Sequence, residues 1–268
     1  MTEKLNSSNL RQNPRNVNEL VNELTLFDDD LMSRVFDKNI KATELLLRII
    51  LGKKVKVISV TGQNEMKNHQ VGGRNITLDV DAMDENGEEI DIEVQGNSEG
   101  AHVRRARYHS SMVDSRMLKA FRELKDSYVI FIYKHDKFRK GLPLYHVERY
   151  VGETNEQFRD GSHIIYVNGN YKGNDEIGQL MQDFWEKNPE CMHYTELAES
   201  VKHFKEKEGG REEMSEIVER YGDERALMAN ITSVQNLMNN MKWTLDQALD
   251  ALGIKGKERT LITQQLQK

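Results

Sequence analysis

Two short segments of the chain alternate strictly between apolar and polar residues. In residues 75–82 the even positions are apolar and the odd positions are polar, and residues 89–95 follow the same parity. A period of two is typical of a strand with one face buried. The stretch 84–88 between them, Asp-Glu-Asn-Gly-Glu, has the composition of a turn, so we predict a β-hairpin.

The same parity predicts the register of this hairpin, because apolar residues must face apolar residues across the two strands. A two-residue Asn86-Gly87 loop would place Asp79 opposite Val94. A three-residue loop that begins at Glu85, a type I turn with glycine in the left-handed position, restores the match. We therefore predict three cross-strand pairs, which are Asp79 with Glu93, Asp81 with Asp91, and Thr77 with Gln95.

Helices and strands alternate through the rest of the first two thirds of the chain, and the last third is helical throughout. The predicted helices are 40–51, ended by Gly52, then 99–122 with Ser98 as N-cap, 175–187, 194–207, 212–240 after a break at Gly209-Gly210, and a short one after a capping box at Thr244. The further predicted strands are 55–60, 128–133, 144–151 and 164–167. This order predicts a mixed α/β core with a helical C-terminal extension.

We divide the chain into three parts. Residues 1–20 are polar and lack periodicity, which predicts a flexible N-terminal tail. Residues 21–190 form the predicted α/β domain, and 191–268 the helical C-terminal region. Apolar residues recur at steps of three or four along these last helices, which is typical of an intramolecular core, with self-association as a homodimer as the alternative.

Composition excludes several classes of protein. No apolar run approaches the ~18 residues of a membrane span, and the first residues lack a secretory signal. Cys191 is the lone cysteine, which excludes an intrachain disulfide and a paired-cysteine zinc site. We therefore expect a cytoplasmic protein. The sequence also lacks the P-loop, GxGxxG and GxSxG motifs, so we expect no nucleotide cofactor and no serine hydrolase.

The predicted hairpin is strongly acidic. Residues 79–93 hold eight carboxylates and no basic residue. Those near the turn fit a solvated acidic loop, but Asp79 and Glu93 lie further from it, and the predicted register places their β-carbons about 5 Å apart. Like charges at that distance are destabilising unless something offsets them, and a divalent cation such as Mg²⁺ would do so.

Asp79, followed after thirteen residues by Glu93-Val94-Gln95, has the form of the PD-(D/E)XK nuclease signature, with Gln95 in the place of the lysine. Together with 105–110, 160–169 and 177–184, this segment resembles the PD-(D/E)XK nuclease family transposases, over about residues 25–255. The resemblance implies a restriction-endonuclease-like core, in which helices flank a mixed sheet. It also implies a metal-dependent endonuclease that hydrolyses the phosphodiester bonds of DNA.

The resemblance also implies roles for individual residues. Asp79 and Glu93 would bind Mg²⁺, with Mn²⁺ as an alternative ion, and Gln95 would place the attacking water. Glu44 is the candidate for an additional acidic ligand from the first helix, with an ordinary surface glutamate as the alternative. Because glutamine is neutral and supports developing charge less well than lysine, a catalytically weak or inactive nuclease fold that binds nucleic acid or a protein partner stays open as the alternative function.

A basic segment follows the acidic hairpin. Residues 99–125 hold seven basic and three acidic residues, and a basic loop lies at 134–140. Such a patch suits phosphate contacts, although a helix face laced with salt bridges is the alternative. Arg104, Arg105 and Tyr108 are the predicted nucleic-acid contacts, with neutralisation of Glu93 as the other possible role of Arg105. The histidines lack metal-ligand spacing and are predicted to be structural.

One condition follows from the metal-site hypothesis. The two carboxylates must present their oxygens side by side, because they are to hold a doubly charged ion between them. Oxygens that point apart, or a lysine or arginine lodged between them, would contradict the hypothesis.

Overall fold

A computed structural model describes residues 14–66, 76–95, 102–117 and 123–266. Within these residues the chain forms nine α-helices and a sheet of six strands. The helices are α1 Pro14–Glu23, α2 Asp29–Phe36, α3 Ile40–Leu51, α4 Val103–Met117, α5 Glu176–Trp185, α6 Thr195–Glu206, α7 Glu208–Met241, α8 Leu245–Ala251 and α9 Gly256–Leu266. The strands are β1 Val57–Met66, β2 Ile76–Asp84, β3 Glu89–Gln95, β4 Ser127–Tyr133, β5 Leu144–Val147 and β6 Ser162–Asn168.

The strands lie in the order β1-β2-β3-β4-β6-β5. β1, β2 and β3 form an antiparallel meander, β3, β4 and β6 are parallel, and β5 pairs antiparallel with β6 at the edge. β4 is buried along its whole length, as expected for a central parallel strand whose two faces are both covered. The mixed sheet with flanking helices confirms the predicted restriction-endonuclease-like α/β fold.

The hairpin of β2 and β3 has the predicted register. Asp81 pairs with Asp91, and the same register runs from Val80 opposite Ile92 to the turn. The turn is the predicted three-residue loop, since Gly87 has a φ of 78° and the residues that flank the loop are joined by a hydrogen bond of 3.1 Å. The described ladder ends at Val80 and Ile92, so the two predicted pairs beyond it, Asp79 with Glu93 and Thr77 with Gln95, are not ladder pairs.

Several boundaries differ from the prediction. The segment predicted to be a flexible tail is helical from Pro14 onwards, and its first thirteen residues lie outside the described part. β1 continues six residues past Val60 to Met66. The predicted break at Gly209-Gly210 lies inside α7, because the chain leaves helical geometry earlier, at Lys207. The predicted N-cap Ser98 also lies outside the described residues.

By packing, the chain forms two compact units. The first is Asn22–Arg211, and the second combines the residues before Asn22 with those from Glu212 onwards. α6 therefore belongs with the sheet, beyond the division that we predict at 190/191. In the second unit the apolar residues of α7, α8 and α9 form a core of their own, which includes Val234, Leu249 and Ile262. Among the described helices, none is long and apolar enough to cross a membrane.

Candidate active site

Helix α4 lies across the acidic face of β3 and runs in the direction opposite to the strand. Residues later in the helix contact residues earlier in the strand. Its three contacting side chains are spaced four and seven residues apart, so they share one helix face. The contacts pair Arg105 with Glu93, His109 with Asp91, and Arg116 with Glu89. The odd-numbered acids of the strand are therefore covered by a helix rather than by solvent.

Arg105 is the side chain that covers Glu93. Its Nη2 donates to Glu93 Oε2 at 2.5 Å, and its Nη1 donates to Gln95 Oε1 at 3.1 Å. Glu93 is fully buried, whereas 35% of the Arg105 side chain is exposed. The guanidinium thus forms the solvent side of the site, and the carboxylate lies beneath it. The metal hypothesis is contradicted by a cation lodged between the two carboxylates, whereas the ion pair described here joins Arg105 to Glu93.

His109 is buried between Arg105 and two acids. Arg105 Nε donates to His109 Nε2 at 3.2 Å, so in this arrangement Nε2 carries no proton. The imidazole proton is therefore on Nδ1, which lies 2.9 Å from Asp91 Oδ2 and 3.6 Å from Glu93 Oε1. With the proton on Nδ1, His109 donates to Asp91.

Asp79 joins the site where the ladder of β2 and β3 ends. Its own N–H donates to Glu93 Oε1 at 3.3 Å, and its Oδ2 accepts from the N–H of Val94 at 3.0 Å. Each of the two carboxylates therefore accepts a main-chain hydrogen bond from the opposite strand. The structure thus brings together Asp79, Glu93, Gln95 and Arg105, as the sequence predicts.

Burial raises the pKa of all three carboxyls at this end of the hairpin. For Asp79 burial outweighs the hydrogen bond from Val94 and raises the pKa to about 6. For Asp91 and Glu93 burial raises the pKa well above the usual range, and the neighbouring negative charges raise it further. Arg105 lowers the pKa of each of the three, but by less than burial raises it.

The site has too little positive charge for its carboxyl groups. Three buried carboxyls, Asp79, Asp91 and Glu93, face one guanidinium and one imidazole, so full ionisation would leave at least one uncompensated negative charge even with the imidazole protonated. Asp91 Oδ1 is buried and has no hydrogen-bond donor among the described residues. One ligand atom each from Asp91, Glu93 and His109 lies within 4.8 Å of the others. Either protons or a cation must supply the balance.

Glu44 is elsewhere. Its Oε1 accepts from the N–H of Val57 at 2.9 Å, and Val57 pairs with Asp84 beside the hairpin turn. Asp84 is five residues along β2 from Asp79, about 17 Å at the usual rise per residue. The prediction that Glu44 is a ligand of the same metal is therefore wrong. The alternative, an ordinary surface glutamate, does not describe Glu44 fully either, because its carboxylate accepts a hydrogen bond from the backbone at the start of β1.

The two other predicted nucleic-acid contacts, four residues apart on α4, differ in their exposure. Arg104 is exposed, and its binding to nucleic acid stays a prediction. Tyr108 is half-buried and packs against an apolar cluster that includes Ile76 and Leu78. Its ring therefore helps to fix α4 on the sheet.

The acids near the turn are also less solvated than predicted. Arg116 binds Asp81 through both terminal nitrogens, at 2.7 and 2.8 Å, and also binds Glu89. Asp84 is buried, and its carboxylate accepts from the N–H groups of Asn86 and Glu88 in the loop. Two of the predicted solvated acids, Asp84 and Glu89, are therefore structural.

Three residues of the site were missed by the sequence analysis. Asp91 could have been found, because it lies two residues before Glu93 on the same strand face. His109 could have been found as well, since it lies four residues after Arg105 on one helix face. Asp29, at the start of α2, raises the pKa of Asp79 by its charge and so lies close to it. No spacing in the sequence links Asp29 to the hairpin.

A mixed sheet with clustered acids at one end of a hairpin, beside a basic helix, defines a nuclease-like α/β protein. The family model of the PD-(D/E)XK nuclease family transposases matches residues 32–219, which is more than half of the chain. The chain therefore belongs to this family, as its motifs suggest. Searches of curated proteins and of solved structures found no match.

Proposed function

We propose that the chain is a metal-dependent endonuclease that hydrolyses phosphodiester bonds of DNA, with Asp79, Asp91 and Glu93 as its acidic centre. The charge deficit of this centre is the observation that carries the proposal. Membership of a nuclease family supports the reaction class. The absence of a membrane-spanning helix among the described residues and the lone cysteine fit the proposed cytoplasmic location.

The residues present fit a divalent cation. Carboxylate oxygens are the ligands that Mg²⁺ and Mn²⁺ prefer, and Asp91 Oδ1 is a buried oxygen without a donor among the described residues. Asp79, Asp91 and Glu93 would hold the ion. When bound, such an ion polarises the scissile phosphate and lowers the pKa of a bound water. Its positive charge would offset the excess negative charge of the three carboxylates.

Arg105 would bind the scissile phosphate. Its side chain is partly exposed, and its guanidinium has the planar fork that matches a phosphate. In the structure this fork rests on Glu93 and Gln95. An incoming phosphate would replace Glu93 as its partner, which frees that carboxylate. The arginine would also supply, from the helix, the positive charge that Gln95 does not supply from the strand.

Gln95 and His109 have positioning roles in this proposal. Arg105 donates to Gln95 Oε1, so the amide nitrogen faces the other way, toward Glu93 Oε2 at 3.4 Å. Its remaining N–H can orient a water molecule. His109 holds Asp91 in place through Nδ1 and does not contact a reacting atom.

Cleavage of plasmid DNA in Mg²⁺ or Mn²⁺ tests the proposal. The wild type should cut, and Asp79→Asn, Asp91→Asn and Glu93→Gln should each lose most of the activity. Glu85→Gln is the matched control, because Glu85 lies on the same hairpin but binds Lys56 at the surface. Equal cleavage by the wild type and the Asp79 variant would contradict the proposal, and so would cleavage that persists with excess EDTA.

A second candidate is a nuclease fold that binds nucleic acid or a protein partner without cutting. The contact of Arg105 with Glu93 favours it, because this ion pair already occupies one carboxylate of the site. Calorimetry with Mn²⁺ separates the two functions. Metal binding that disappears in Asp91→Asn supports the enzyme, whereas DNA binding without metal binding supports the second candidate.

The homodimer is likewise a proposal, which sedimentation of the purified chain tests.

A further inference from the structure

The parallel strands β3, β4 and β6 end together beside the acidic centre. Gln95, Tyr133 and Asn168 are the neighbouring residues in this row. The N–H of Lys134 donates to the carbonyl of Gln95 at 2.9 Å, and the N–H of Gly169 donates to the carbonyl of Tyr133 at 2.7 Å. Side chains that follow β4 and β6 are thus two strand spacings or less from Gln95, about 10 Å.

Trp185 lies at this edge and is unusually exposed for its size. Its side chain is at the end of α5, and 40% of the residue is accessible to solvent. The indole Nε1 donates to the carbonyl of Gly169 at 2.7 Å, which fixes the ring against the end of β6. An exposed indole with its only polar atom already bonded presents an apolar face to solvent.

Two neighbours contact the indole. Lys134 Nζ lies 4.6 Å from the centre of the Trp185 ring system, and the Phe27 ring lies 4.9 Å from it at an angle of 55°. Phe27 is itself buried. Gly169 allows this packing, since a β-carbon there would lie 2.6 Å from Phe27 Cζ. The indole is therefore a fixed surface rather than a loose side chain.

The loop that begins at Lys134 carries further positive charge. Lys137, Arg139 and Lys140 follow within six residues. The loop is folded around Asp136, whose carboxylate accepts from the N–H groups of Phe138, Arg139 and Gly141 and from the hydroxyl of Tyr145. A fixed aromatic face next to fixed cations is the combination that binds single-stranded nucleic acid, because bases stack and phosphates pair.

We propose that Trp185 stacks a nucleobase of single-stranded nucleic acid, with Lys134 and the loop after it at the neighbouring phosphates. This inference rests on the proposed function, since it assigns the substrate a path along the strand ends to the acidic centre. The end of β6, to which the indole is bonded, is two strand spacings, about 10 Å, from Gln95. The proposal therefore predicts a substrate that is unpaired near the bond that is cut.

Tryptophan fluorescence tests the inference directly. The chain has two tryptophans, and Trp243→Phe leaves Trp185 as the single reporter. This variant is titrated in EDTA with oligothymidylate, with oligouridylate and with an abasic oligonucleotide of the same length. We expect both base-containing strands to quench Trp185 and the abasic strand not to quench it. A difference between the first two distinguishes DNA from RNA as the preferred source of the base.

Affinity measurements supply the second readout. Trp185→Leu should weaken binding of oligothymidylate about 5- to 100-fold, as expected for loss of one stacked base. Trp185→Phe should retain most of the affinity, and Trp243→Phe should bind like the wild type. Thermal unfolding checks that each variant is folded. If Trp185→Leu fails to fold, the affinity of Trp185→Phe and the comparison with the abasic oligonucleotide still test the stacking of a base on residue 185.

The outcomes separate this inference from the proposed function. If the protein binds or cuts nucleic acid while Trp185 reports no base, or while Trp185→Leu binds as tightly as the wild type, the stacking site is overturned and the endonuclease remains. If the wild type neither binds nor cuts any nucleic acid, both are overturned. Quenching that depends on protein concentration without oligonucleotide assigns the indole to self-association and also overturns the stacking site.

Discussion

Replacing Asp79 by asparagine should make the metal-free protein more stable at neutral pH. The pKa of Asp79 is raised to about 6 from 3.8, mainly by burial and further by the charge of Asp29, while the N–H of Val94, Arg105 and His109 oppose the rise. The folded chain therefore holds a proton that the unfolded chain releases between about pH 4 and 6. Stability from this group is fully present below pH 4 and is lost as the pH rises through about 6.

The size of the effect follows from the two pKa values. A difference of about two pH units corresponds to about 3 kcal/mol. Asparagine is nearly isosteric and keeps a carbonyl oxygen for the N–H of Val94, which Asp79 Oδ2 accepts at 3.0 Å. We therefore expect Asp79→Asn to gain up to about 3 kcal/mol in the free energy of unfolding at pH 7.5. Near pH 4 it should gain little.

Urea unfolding between pH 4 and 8 in EDTA measures this free energy. Asp81→Asn is the matched control, because Asp81 is two residues away on the same strand and is bound by Arg116 through two hydrogen bonds. The control should lose stability at neutral pH, the opposite sign. Added Mn²⁺ should then stabilise the wild type by mass action and leave Asp79→Asn unchanged.

Two results would refute this reasoning. The first is a pH dependence of stability that is the same in Asp79→Asn as in the wild type, since the proton would then reside elsewhere. The second is a variant that is less stable than the wild type at pH 7.5 in EDTA. Either result would mean that Asp79 is already compensated in the metal-free protein, and Asp79 would then not contribute to the charge deficit that supports the proposed function.

Three further substitutions test the packing of the fold by urea unfolding. Arg116→Met should cost about 2–4 kcal/mol, because it leaves two carboxylates of the hairpin without their shared, partly exposed partner. Asp183→Ala should cost about 2–4 kcal/mol, since the buried carboxylate accepts from the N–H groups of His193 and Tyr194. Thr244→Ala should cost about 1 kcal/mol through loss of the capping box of α8.

Each of these has its own control. Lys202→Met removes a surface cation and should change stability by less than about 0.5 kcal/mol, so an equal loss in Arg116→Met would refute a special role of that arginine. Asp183→Asn keeps one carbonyl oxygen and should lose less than Asp183→Ala. Thr260 lies on α9 with an exposed side chain. Thr260→Ala should therefore leave the free energy of unfolding nearly unchanged, whereas Thr244→Ala should lower it.

The hairpin was predictable because two independent constraints agree on it. Alternation placed the two strands, and parity selected the three-residue loop with Gly87 in the left-handed region. α3 was similarly clear, since a run of helix formers ends at Gly52, which has a φ of 64°. Local chemistry decides such elements, so a single sequence is enough to predict them.

What the prediction missed depends on contacts between distant residues. Glu44 and Asp29 both precede the sheet, and only the packing of their helices decides which of them approaches Asp79. His109 gave no metal-ligand spacing because its partner is on another element. The helix through Gly209-Gly210 also ran against local propensity, since glycine usually weakens a helix interior.

Where the β2–β3 ladder ends, the two carboxylates proposed to be catalytic also bind the backbone. Asp79 accepts from a main-chain N–H of β3, and Glu93 accepts from one of β2. An amide side chain at either position can still accept that bond. A related chain without nuclease activity could therefore carry amides at both positions and keep the hydrogen bonds between the strands. In related chains, an amide at these positions would therefore indicate only that the fold is retained, whereas a carboxylate is what the proposed catalysis requires.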